Sequence, residues 1–163
     1  SDRSGRMPRR RGMLKRNDTA PFDILTYFEG TTHASGIFED RSGNTRRRFT
    51  VEMTGTAHGE MLVLEEHFLF DDGERQQRTW RFTRDGFRFT GTCEDAAAEA
   101  HGSFAEGKAL FSSALRLKVG SRHVAMRFND VFYDTGDGTV LNRSTVSKWG
   151  IRLGQVLILF RKP

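Results

Sequence analysis

Four charged side chains stand where chemistry could be done: Glu66, Arg78, Asp130 and Arg143. Glu66 lies between Leu64 and Phe68, Asp130 between Phe128 and Phe132, and Arg78 two residues before Trp80. Residues two apart on a strand share a face, so these charges are expected among apolar neighbours. A charge held inside a protein needs a partner. A guanidinium also offers paired donors in a planar fork. One reading is a polar station in a greasy pocket. Arg78 and Arg143 would grip the carboxylate or phosphate of an amphiphile, and Phe49, Phe68, Trp80 and Phe128 would hold its apolar body. The other reading is two closed ion pairs, Glu66–Arg78 and Asp130–Arg143, in a barrel packed solid with side chains.

The elements that must position these residues are strands. Glycine-containing turn signals recur along the chain at Ser42-Gly43-Asn44, His58-Gly59, Asp71-Asp72-Gly73, Asp85-Gly86, Glu106-Gly107, Gly120-Ser121 and Asp137-Gly138. Glycine supplies the positive φ that tight hairpins need. Alternating apolar and polar residues between them predict strands at about 31–41, 45–56, 60–70, 74–84, 87–95, 99–105, 108–119, 122–134, 139–148 and 153–161. Roughly ten antiparallel strands suit an all-β, up-and-down closed barrel better than a flat sheet. Residues 95–100 read as an irregular connection or weak strand. Pro21 to Phe28 is the one helical candidate, short and placed to plug a barrel end.

Turn geometry predicts the register. A three-residue Asp71-Asp72-Gly73 loop pairs Phe68 with Gln76, Glu66 with Arg78, Leu64 with Trp80 and Leu62 with Phe82. A Gly120-Ser121 turn pairs Leu117 with Val124, Leu115 with Met126 and Phe111 with Asp130. A His58-Gly59 turn pairs Phe49 with Phe68, and an Asp85-Gly86 turn pairs Phe82 with Phe89 and Trp80 with Gly91. The loop around Thr135 to Gly138 pairs Asp130 with Arg143 if four residues long, or sets them one diagonal apart if two. Opposite residues share a face, and the several turns agree on one apolar interior. The outer face is charged, which argues against a membrane barrel.

The net charge of +5 belongs to the first 20 residues, where seven Arg and Lys outnumber Asp2 and Asp18, and the remainder is neutral. The expectation is a disordered basic tail over 1–20 and one barrel domain over 21–163. Such a tail can contact an anionic membrane surface; a neutral barrel does not suggest a nucleic-acid binder. No apolar h-region follows Arg9 to Arg11, so the expectation is either a cytoplasmic chain or one whose true N-terminus has been removed. Phe dominates the aromatics, 14 against 2 Trp and 2 Tyr, as suits a greasy interior. Cys93 is the single cysteine, so no internal disulfide is expected. The five His share no metal-ligand spacing, and no nucleotide-binding fingerprint or nucleophile elbow is present. Neither a metal nor a cofactor is expected, and no catalytic residue is assigned.

Phe28-Glu29-Gly30, Gly36 to Arg41, Arg48-Phe49-Thr50-Val51, Phe70 to Glu74 and above all Asn142 to Gly154 resemble the bacterial domain-of-unknown-function family 3833. The resemblance runs from about Phe22 to Lys162. It implies a lipocalin-like barrel of the calycin type and brings no catalytic residues. It also implies a cell-envelope location, since family members look like lipoproteins with a lipid-acceptor cysteine; here no cysteine precedes the domain.

The reading that follows is a binding module rather than an enzyme: a barrel that holds a small hydrophobic or amphiphilic, lipid-like molecule, with an enzymatic role left open. The alternatives are a barrel isomerase or hydrolase with Glu66 or Asp130 as general base, and a filled barrel that serves the envelope as a structural or interaction piece.

Overall fold

The computed structural model describes residues 20–163. The expected basic tail, apart from its last residue, lies outside the described residues. A single-turn helix, α1 (Ile24–Tyr27), is followed by ten strands: β1 (Gly30–Asp40), β2 (Thr45–His58), β3 (Met61–Phe70), β4 (Arg75–Asp85), β5 (Arg88–Thr92), β6 (Ala100–Ala105), β7 (Lys108–Val119), β8 (Arg122–Asp134), β9 (Val140–Lys148) and β10 (Ile151–Arg161). Each strand pairs antiparallel with the next, and β1 also pairs with β10, so the sheet closes into an all-β, lipocalin-like barrel. Closure leaves no free edge strand, although the short β5 covers β4 only from Arg81 to Asp85. The stretch before β6 is irregular and touches β7 through an isolated Ala96–Leu115 bridge.

The three-residue β3–β4 loop gives the predicted pairs, Glu66 opposite Arg78 and Leu64 opposite Trp80. The β7–β8 turn does the same, with Phe111 opposite Asp130. Two other hairpins differ by one step of the turn. His58 pairs with Met61 and Asp85 with Arg88, so the loops are Gly59-Glu60 and Gly86-Phe87. Gly59 (φ 59°) and Gly86 (φ 60°) therefore occupy the first loop position, where a positive φ is required. Phe49 then faces Phe70 rather than Phe68, and Phe82 rather than Trp80 faces Gly91. These slips move partners by two residues and leave every side chain on its expected face.

The β8–β9 loop is different. Asp134 pairs with Val140, which leaves five residues in the loop. Asp137 organises it: its carboxylate accepts from the Thr135 hydroxyl at 2.6 Å, the Thr139 hydroxyl at 2.6 Å and the Thr139 N–H at 3.0 Å. An odd loop shifts the register by one residue, and a one-residue slip turns a strand over. Asp130 stands opposite Ser144, and Asn142, Ser144 and Val146 point inward. Arg143 therefore points outward, contrary to the sequence expectation, with its Nη2 3.4 Å from the Tyr133 hydroxyl.

The α1 end of the barrel is shut. Asp23 caps the helix by accepting the Thr26 N–H at 3.0 Å and forms an ion pair with Arg84. Ile24, Leu25 and Phe28 are buried, and the Phe28 ring meets Phe132 and Phe160 edge-on. The Tyr27 hydroxyl donates to the Gly138 carbonyl at 2.9 Å, and Lys162 Nζ donates to the Glu29 carbonyl at 2.9 Å and to Thr32 Oγ1 at 2.8 Å. Gly55 lets the plug sit close, since a Cβ there would lie 1.9 Å from the Phe28 carbonyl oxygen.

Candidate functional site

The barrel is hollow. A cavity of about 810 Å³ runs from α1 to the opposite end, where its walls include Arg47, Phe70, Gln76, Lys118, Val119 and His123. Its volume falls in the usual range for small-molecule sites. Of the eight residues singled out from the sequence, Phe49, Glu66, Phe68, Arg78, Trp80, Phe128 and Asp130 line it, and Arg143 does not. The alternative of a filled barrel with two closed ion pairs is not the one observed.

Aromatic packing shapes the walls. Trp80 stacks on Phe82 with ring centres 5.5 Å apart and meets Phe111 edge-on at 5.3 Å. Phe49, Phe68 and Phe70 form a second cluster nearer the open end, with Arg47 lying 3.7 Å over the Phe70 ring. Around the plug the lining is apolar, through Ile24, Leu25, Phe28 and Phe132.

Polar groups interrupt this lining partway along. Arg78 is directly opposite Glu66, yet its Nε donates to Asp95 Oδ2 at 3.1 Å. Asp95 comes from the connection between β5 and β6. That connection is pinned by the Arg116 N–H to the Asp95 carbonyl at 2.7 Å and by the Ala97 N–H to the Ala114 carbonyl at 2.8 Å. Its neighbour Glu94 accepts the Thr79 N–H at 3.1 Å and serves β4 beyond the end of the short β5. The Glu66–Arg78 pair read from the register is therefore replaced by Asp95–Arg78.

Glu66 Oε1, Asp130 Oδ1 and Ser144 Oγ are buried and have no hydrogen-bond partner. Burial pushes the Glu66 carboxyl up to about 7; the Arg78 charge opposes this, the Asp130 charge adds to it, and the nearby Trp80 indole opposes it. Burial likewise pushes Asp130 up to about 7, against a smaller opposing effect of the adjacent Ser144 hydroxyl. Ser144 stands opposite Asp130 in register, but its oxygen does not reach hydrogen-bond geometry. Its dipole favours the charged carboxylate without satisfying it. The station thus has two carboxyls poised between charge states, a hydroxyl, and an arginine already held by another acid. It can accept hydrogen bonds from a guest more readily than it can grip an anion.

Asp95 and Ser144 escaped the sequence reading for different reasons. Asp95 sits in a connection without periodicity, and Ser144 becomes visible only once the loop is known to hold five residues. Burial raises the Cys93 thiol to about 11, which leaves it a poor nucleophile. Among the described residues, no three His, Cys, Asp or Glu side chains converge to hold a metal.

A family model described as "Protein of unknown function (DUF3833)" matches residues 13–162. No curated protein matches the chain. Among solved structures, the S-type phycobiliprotein lyase CPES from Guillardia theta is similar, with a TM-score of 0.60 and 6% identity over 86% of this chain and 91% of that one. At that identity the likeness is one of fold.

Proposed function

Since the chain belongs to the DUF3833 family, which assigns no activity, we propose from the barrel itself that it binds a small amphiphilic molecule inside the cavity. The observation that carries this is the conjunction of a large apolar-walled space with unpartnered polar atoms inside it. An unsatisfied buried acceptor costs on the order of 1–3 kcal/mol, and a guest that donates to it recovers much of that. The apolar part of the guest lies towards Ile24, Leu25 and Phe28. Its polar part, a hydroxyl, amide or ammonium, donates to Glu66 and Asp130. The similar lyase shares the barrel fold, although the two chains share little sequence.

The test is solvent extraction of the purified protein followed by mass spectrometry, together with titration of an environment-sensitive acyl probe. A co-purifying amphiphile and saturable probe binding are expected. Val146→Trp, which adds an indole to the cavity wall, should lower probe affinity at least about tenfold by occupying ligand volume. Leu69→Trp on the exposed outer face should not. Absence of both an extractable molecule and probe binding, or equal effects of the two substitutions, would overturn the reading.

A second reading rests on the raised Glu66 and Asp130 values. A carboxyl titrating near 7 is suited to general acid–base catalysis, and this would make the barrel an isomerase or hydrolase. Glu66→Gln separates the readings: turnover of an extracted ligand lost with binding retained would favour the enzyme.

A further inference from the structure

We infer that the open end of the barrel docks onto an anionic lipid bilayer through the tips of the β7–β8 and β9–β10 hairpins. The first observation is an unrewarded backbone cost. Trp149 is the only non-glycine residue with a positive φ (51°) among the described residues, and it precedes Gly150 at φ 75° in a two-residue loop. A left-handed conformation costs a side chain on the order of 1 kcal/mol, and loops of this kind prefer Asn-Gly. Packing does not repay it, because Trp149 is 87% exposed. A large aromatic held out into solvent by a strained turn points to a role outside the fold.

The second observation is charge. No Asp or Glu occurs at 115–129 or at 138–163. Both hairpin tips fall in these stretches. They carry Lys118, Arg122, Lys148 and Arg152, none of which takes part in an ion pair among the described residues. Across the mouth the reverse holds: Arg46 is bound by Asp40 at 2.5 Å and Arg47 by Glu74 at 2.8 Å. One arc of the rim is internally neutralised and the other is open to an external anion.

The third observation is the apolar content of that open arc. Val119 on one tip is 52% exposed, and Ile151 on the other is 55% exposed, in addition to Trp149. Lys148 Nζ lies 4.2 Å over the Trp149 ring. Tryptophan and short aliphatic side chains at protruding tips, ringed by cations, suit the boundary between headgroups and acyl chains. Cations near an anionic leaflet gain electrostatic attraction that an aqueous surface does not offer. Two separate tips also suit a deformable lipid surface better than the recessed patch of a protein partner. None of the described helices is long and apolar enough to cross a membrane. Lys118 and Val119 also line the cavity mouth, so docking turns the cavity towards the bilayer. Docking itself does not depend on the cavity being loaded.

The experiment uses the full chain with vesicles of phosphatidylcholine alone or mixed with phosphatidylglycerol. Trp149 is followed by the emission difference between the parent protein and Trp149→Asn, which leaves buried Trp80 in place in both. A blue shift of the Trp149 component and co-sedimentation are expected only with the anionic vesicles. Lys118→Glu with Arg122→Glu should weaken partitioning more than about tenfold, given roughly fivefold per charge near the surface. Phe87→Ala, which removes an exposed aromatic at the plugged end, should leave it unchanged. Four outcomes would overturn the proposal: no binding, equal binding to neutral vesicles, sedimentation without a Trp149 shift (binding by the basic N-terminal segment), or self-association abolished by Trp149→Asn without vesicle binding, which would give the surface to a second copy.

Discussion

At one end of the barrel, α1 is held by partners drawn from distant parts of the chain: Arg84 on Asp23, Gly138 on Tyr27, Lys162 on Glu29 and Thr32. At the other end no element among the described residues crosses the mouth, and the hairpin tips carry cations and an exposed indole. The same antiparallel hairpins build both ends. What differs is where side chains find their partners. At the plug these polar groups are matched within the protein, while on the β7–β10 arc of the mouth the cations and apolar tips look outward. The cavity between them inherits this polarity, apolar against the plug and increasingly polar towards the mouth. Its carboxyls stand between the two.

The largest effect is expected where the plug meets the barrel. Gly55→Ala places a methyl 1.9 Å from the Phe28 carbonyl oxygen, against the backbone of Phe28 and Glu29. No side-chain rotation relieves that contact, so α1 must lift or β2 must bend. Ile24, Leu25 and Phe28 would then lose part of their burial. The expected loss is about 3 kcal/mol or more in urea unfolding, comparable to removing a large core side chain. A loss below about 1 kcal/mol would mean that the plug is loosely seated, and the contrast between the ends would weaken.

An intermediate effect belongs to the carboxyls between the ends. Glu66 and Asp130 hold raised values of about 7 in the folded barrel, against ordinary values near 4 in the unfolded chain. The folded state therefore binds more protons than the unfolded state between about pH 4 and pH 7, and stability falls as pH rises through that window. Below the unfolded value the penalty is absent, and above about 7 it is fully developed. Glu66→Gln removes this dependence for one group, so the variant should gain stability over the parent at pH 8 relative to pH 5, by on the order of 2 kcal/mol. Urea melts of both proteins at the two pH values check it. A bound guest that donates to these oxygens should shrink the difference.

Much of the barrel could be read from turns because a hairpin error of two residues is harmless to facing. Phe49 lost Phe68 as its direct partner and still met it within the cavity wall at 6.0 Å between ring centres. Arg143 shows the opposite case: a loop of five residues, stabilised by Asp137 contacts that no periodicity announces, turned β9 over and exchanged an inward arginine for Ser144. Asp95 was hidden because it approaches Arg78 from a connection outside the alternating pattern. Hollow and filled barrels share the same alternation, so the cavity itself depended on three-dimensional packing. The resemblance to DUF3833 carried the fold and left the interior open.

The smallest expected effect tests the mouth by itself. Trp149→Asn keeps the two-residue β9–β10 loop and supplies the residue that tolerates φ near 51° best after glycine. It forfeits the contact with Lys148, worth about 0.5 kcal/mol at an exposed site, and relieves backbone strain of similar or larger size. Because Trp149 is so exposed, little burial is lost. The net result should be a protein as stable as the parent or up to about 1 kcal/mol more stable, measured by thermal or urea unfolding. A surface aromatic kept at a cost to the fold, where asparagine would serve the turn better, is what an external binding role requires. Destabilisation by more than about 1 kcal/mol would place the indole in the protein's own packing and remove the physical difference between the two ends.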